Sequence, residues 1–88
     1  KIKEGEILAL ENGKVAFVEQ DVERAVVRLI KNLYKKDSQF VTIIYGADVT
    51  DEQAVAVEDA VRRRLPEDAE ITLIPGGQPV YYYILSVE

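Results

Sequence analysis

The stretch from Gln39 to Ile74 leaves this chain few ways to fold. Gln39–Tyr45, QFVTIIY, is dense in β-branched and aromatic residues without clean alternation, as in a central strand covered on both faces. Gly46 ends it. Thr50 and Gln53 then stand at capping-box spacing and Val49 and Ala54 at that of a hydrophobic staple, while Asp51 and Glu52 favour a helix's positive pole. Ala54, Val57, Val61 and Leu65 recur on one side of that helix, with Ala60 beside them. Arg62-Arg63-Arg64 fall in its last turn and Pro66 stops it. Glu70–Ile74 alternates as a strand, Ile71 and Leu73 against Glu70 and Thr72. Strand, helix, strand within this length predicts a parallel pair joined by a right-handed crossover.

What precedes this unit reads as a hairpin and a helix. Lys1–Gly5 is polar and expected to fray. Ile7–Val18 is a hairpin around Asn12-Gly13, because a type I′ turn needs positive φ at both central residues. That loop sets Glu11 opposite Lys14, Leu10 opposite Val15 and Leu8 opposite Phe17, so Leu8, Leu10, Val15 and Phe17 share a face. Asp21 is placed to cap a helix whose stripe is Val22, Ala25, Val26, Leu29, Ile30 and Leu33. Lys35 and Lys36 suit its negative pole.

After Ile74 the chain runs PGGQPVYYYILSVE. Gly76 and Gly77 admit positive φ or the close approach of another backbone. Pro79 suits the first residue of a strand. In Val80–Val87, Tyr81, Tyr83, Leu85 and Val87 point one way and Val80, Tyr82, Ile84 and Ser86 the other. The predicted order is therefore β-β-α-β-α-β-β, an α/β (α+β two-layer) domain spanning residues 1–88. Its mixed sheet carries both helices on one face.

Composition removes most chemistries. There is no cysteine and no histidine, so thiolate metal sites, thiol nucleophiles and the commonest general base are absent. A net charge of −5 argues against binding a phosphate backbone. No apolar run approaches a membrane span, and no signal peptide opens the chain. The lack of methionine, even at position 1, points to a segment of a longer protein. Glu4, Glu6, Glu11, Glu19, Asp21 and Glu23 read as solvated edges. The Gly46–Thr50 loop lies where α/β proteins often bind anions, but Asp48, Asp51 and Glu52 already supply negative charge there, so it reads as a helix cap. Arg62-Arg63-Arg64 reads as a solvated helix end, with a docking patch for an acidic partner as the sharper alternative. Tyr81-Tyr82-Tyr83 fits sheet packing and an interface equally well. No catalytic residue and no metal ligand is assigned.

Residues Val41–Glu88 resemble the C-terminal end of the A subunit of bacterial fatty acid kinase, a family also described as dihydroxyacetone-kinase-like. The resemblance rests on Val41, Thr42, Tyr45, Gly46 and Asp48, on the GGQPVY run Gly76–Tyr81, and on the Ser86-Val87-Glu88 ending. EGEILALENGKVAF resembles the family's preceding hairpin more loosely. The likeness implies a three-part cytoplasmic protein whose N-terminal DhaL-like domain holds ATP and magnesium, leaving no cofactor and no catalytic role for the present residues. It also implies a DegV-type partner that presents a fatty acid carboxylate for phosphorylation, and a distant likeness to the second half of DegV proteins.

On that basis the first reading is a non-catalytic interaction domain. Its contact or site-shaping residues would be Tyr45, Gly46, Asp48, Gly76, Gly77, Gln78, Pro79, Tyr81 and Tyr83. A second reading is a domain that itself holds an acyl chain, which needs an apolar cavity of about 300 Å3 or more. A third is architectural: a cap that props the kinase domain or forms a homodimer.

Overall fold

The computed structural model describes residues 6–88; the frayed start expected for Lys1–Gly5 lies outside them. The elements follow the predicted order: β1 (Ile7–Glu11), β2 (Lys14–Glu19), α1 (Val22–Leu33), β3 (Phe40–Tyr45), α2 (Asp51–Arg62), β4 (Glu70–Pro75) and β5 (Tyr83–Val87). The strands form two sheets. β1 and β2 make a separate antiparallel hairpin, and β4-β3-β5 make a mixed sheet, parallel between β3 and β4 and antiparallel between β3 and β5.

Local chemistry accounts for the elements. Asn12 and Gly13 have φ of 53° and 81°, as a type I′ turn requires. The Asp21 carboxylate accepts from the Arg24 N–H at 3.1 Å, capping α1. At the other end of α1, Lys35 Nζ donates to the Asn32 carbonyl at 3.1 Å, satisfying one of the free carbonyls there. The capping box of α2 is complete: the Gln53 N–H donates to Thr50 Oγ1 and the Thr50 N–H to Gln53 Oε1, both at 3.0 Å.

One core organises the molecule. Val26 and Ile30 of α1, Val41 and Ile43 of β3, and Val57 and Val61 of α2 are buried together, so both helices lie on the same face of the mixed sheet. Ile71, Leu73, Tyr83, Leu85 and Val87 pack on that cluster from the flanking strands. The opposite face departs from expectation. β3 is central but covered on one side only; Phe40 and Ile44 align with Ile74 and Ile84 on an open apolar surface.

Two further expectations fail for identifiable reasons. The hairpin register slips between Ala9 and Leu10, so Leu8 faces Val18 and Ala9 faces Phe17. Ala16 is the extra residue of a β-bulge. Val18 thereby joins the exposed Leu8, Leu10 and Val15, and Phe17, expected on their face, stands opposite the buried Ala9. The last strand begins at Tyr83, not Val80, and Pro79 lies outside it. β3 ends at Tyr45 and the chain turns away toward α2, leaving residues 79–81 no ladder to join.

Candidate functional site

Most of the predicted site residues converge on one junction, where the 76–82 loop folds onto the end of β3. The Tyr45 carbonyl accepts from the Gly76 and Gly77 N–H groups at 2.9 and 3.2 Å. The Gly46 N–H donates to the Tyr82 carbonyl at 2.7 Å, and the Ala47 N–H to the Gln78 carbonyl at 2.9 Å. Gln78 acts as the internal brace: its Nε2 donates to the carbonyls of Ile44 and Tyr81, both at 3.3 Å. The glycines answer different needs. Gly77 sits at φ +68° with open space around it. At Gly76, a Cβ would run into the Gln78 side chain and the Ile44 methyl. A Cβ on Gly46 would meet the Tyr81 carbonyl and lie 2.8 Å from the Gln78 carbonyl.

This brace displays the tip of the loop. The Tyr81 N–H donates to the Pro79 carbonyl at 2.8 Å across Val80, whose φ is +73°. That is a γ-turn in the rare positive-φ form, strained for a β-branched residue. Val80 is 86% exposed, Tyr81 54% and Tyr82 45%. The expected pairing of Tyr81 with Tyr83 on one face does not hold. Tyr81 belongs to the loop, whereas Tyr83 is half-buried in the strand and packs on the core. Burial pushes the Tyr83 phenol pKa up, with smaller contributions from Glu23 and Tyr45. Tyr45 braces the same end: its hydroxyl donates to Asp51 Oδ1 at 2.7 Å, and that bond raises its pKa. Asp48 is exposed in the β3–α2 connection, outside the bonded junction.

A groove of about 700 Å3 opens beside this junction, between the hairpin, α1 and the segment from Val80 to β5. Leu8 and Leu10 wall it on one side, Leu29 and Leu33 floor it, and Tyr81 and Tyr83 line the other side. These leucines lie outside the predicted set of site residues. The hairpin does carry a signal for them: it has apolar side chains on both faces, although a two-stranded ribbon has only one face to bury against a helix.

Among the described residues, no three acidic side chains group to hold a metal ion, and no helix is long and apolar enough to cross a membrane. Over residues 1–88 the chain matches the FakA-like C-terminal family, the C-terminal domains of fatty acid kinase A-subunit-like proteins. It belongs to that family. It is 35% identical over 88 residues to the uncharacterized protein SH1689 of Staphylococcus haemolyticus, covering all of this chain and 16% of that protein. Protein YloV of Bacillus subtilis is 31% identical over 87 residues, covering 99% of this chain and 16% of YloV. A Mycoplasma pneumoniae relative, the uncharacterized protein MG369 homolog, is 28% identical over 90 residues, covering all of this chain and 16% of that protein. The chain therefore spans about one sixth of the length of these relatives.

Proposed function

We propose that this domain engages a DegV-type fatty-acid-binding protein on behalf of the ATP-binding subunit of a fatty acid kinase. Docking would bring the bound acyl carboxylate to the kinase domain, and holding two reactants together lowers the entropic part of the barrier. ATP and magnesium would sit in that other domain, and no residue of this chain is assigned a catalytic role.

The observation that carries this reading is the braced aromatic loop. Val80, Tyr81 and Tyr82 are exposed on a turn fixed from beneath by Gly46, Gly76 and Gln78. A surface ordered before binding loses less entropy on association, and tyrosines supply rigid amphipathic contact area. Tyr81, Val80 and Tyr82 would make the contact; Tyr45, Gly46, Gly76, Gly77 and Gln78 would shape it. Calorimetric titration of the full-length kinase subunit with the fatty-acid-loaded partner tests this. Tyr81→Ala is expected to cost roughly 2 kcal/mol of binding without loss of fold. Unchanged affinity would sink the assignment.

The apolar groove favours a second reading, in which the domain itself holds an acyl chain. Its volume of about 700 Å3 exceeds what such a ligand needs. Binding of a fluorescent fatty acid, abolished by Leu29→Glu but not by Arg63→Gln outside the groove, would support it; no binding of the probe would retire it.

A further inference from the structure

The fold gathers positive charge that the sequence disperses. Arg24, Arg28 and Lys31 stand at i, i+4 and i+7 on α1 and so form a ridge about 10 Å long. Across a groove of about 460 Å3 they meet Arg63 and Arg64, which follow the end of α2. Five cations thus share one groove with two carboxylates, Asp21 and Glu23, in a chain whose net charge is −5. Asp21 is already engaged in capping α1.

The chain has enough carboxylates to neutralise these cations, yet among the described residues only Arg28 of the five forms an ion pair. Arg62, one residue away, pairs with Glu58 at 2.9 Å. Arg28 is held by Glu19 at 3.1 Å and lies 4.2 Å above the Phe17 ring, which fixes its guanidinium at the groove's edge. Arg24, Lys31, Arg63 and Arg64 have no ion-pair partner among the described residues. Clustered like charges repel, so leaving them together costs stability that an opposite charge would restore.

We infer that the groove between α1 and α2 docks an acidic helical segment of a protein. Carboxylates at i, i+4 and i+7 on such a helix would match the α1 ridge, and arginine forks bind carboxylates in a bidentate manner. Val27 and Ala60 add apolar surface to the groove lining. A small phosphate fits less well. The cations are spread along a ridge about 10 Å long on α1 and across the groove at Arg63 and Arg64, farther apart than one phosphate group can span.

The Arg63–Arg64 side of this surface lies away from the aromatic loop. Tyr45 meets α2 at its first residue, Asp51, whereas Arg63 and Arg64 follow its last. The 12 residues of α2 separate the two by about 18 Å.

The test is fluorescence anisotropy of a labelled alanine-based helical peptide with Glu at i, i+4 and i+7, titrated with the full-length protein. Binding should weaken as salt rises from about 0.05 to about 0.3 M, because the screening length falls well below the span of the groove. Arg63→Glu with Arg64→Glu should weaken it by about tenfold or more, and the milder Arg63→Gln with Arg64→Gln should weaken it less, guarding against a folding defect. Lys36→Glu, outside the groove, and Tyr81→Ala should leave it within about twofold. Equal binding by the Arg63/Arg64 variants, or by a peptide with Gln in place of Glu, would overturn the inference. So would tighter binding of inorganic tripolyphosphate than of the peptide, or self-association of the protein that the Arg63/Arg64 variants abolish.

Discussion

Replacing Gly46 by alanine probes the junction on which the candidate site depends. Gly46 is buried, and its φ is not in the positive range, so the substitution meets no backbone penalty of the kind it would meet at Gly77. Alanine even stiffens the unfolded chain, a gain of roughly 0.4–1 kcal/mol. Space decides against it. The new Cβ would collide with the Tyr81 carbonyl and sit 2.8 Å from that of Gln78, where ordinary contact begins at 3.4 Å. Both obstacles are backbone atoms, so the loop must lift. Lifting it strains the bonds from the Gly46 N–H to Tyr82 and from the Ala47 N–H to Gln78. Each is worth about 1 kcal/mol net, and the Gly46 donor left buried without a partner costs about 1–3 kcal/mol. The expected net loss is about 2–4.5 kcal/mol, read from urea unfolding followed by circular dichroism. Gly77→Ala is the internal comparison: its surroundings are empty and only its φ of +68° resists, so it should cost about 1–2 kcal/mol. Should Gly46→Ala cost less than Gly77→Ala, close approach would not be what the junction requires.

Other perturbations test the remaining parts. The folded pKa of Tyr83 lies above its ordinary value of 10.0, so the native state retains a proton that the unfolded state loses. Stability should therefore be unaffected below about pH 10 and decline as pH rises above it; Tyr83→Phe should make that decline shallower, and equal slopes in a urea–pH series would refute the coupling. Ile43→Ala at the fully buried centre should cost about 3–5 kcal/mol, whereas Ile84→Ala on the open sheet face, 44% exposed, should cost under about 1.5. Comparable losses in thermal melts would mean that the open face is covered in solution. Thr50→Ala should lower stability by about 1 kcal/mol by removing the acceptor for the Gln53 N–H; an unchanged melting temperature would exclude a stabilising capping box.

Sequence sufficed wherever the physics is local. Asn12-Gly13 specified its turn through positive φ, Asp21 and Thr50 their helix starts through side-chain acceptors, and the 3.6-residue stripes chose the buried sides of both helices. It also carried the family, chiefly through the GGQPVY run, a fairly specific string. Of the GGQP glycines, singled out for positive φ or the close approach of another backbone, Gly77 has positive φ, whereas Gly76 is crowded by the Gln78 and Ile44 side chains.

Pairing between distant segments was decided by tertiary structure. Val80–Tyr82 carry strand residue types, yet they form a loop because their partner strand has turned away and Gly46 admits the loop's carbonyls. Alternation could not reveal the bulge at Ala16, since one extra residue leaves composition unchanged while exchanging the faces of Phe17 and Val18. The apolar groove beside Tyr81 and the cationic groove between the helices follow the same rule. Each joins residues from separate elements, and only packing fixes which surfaces of those elements stand side by side.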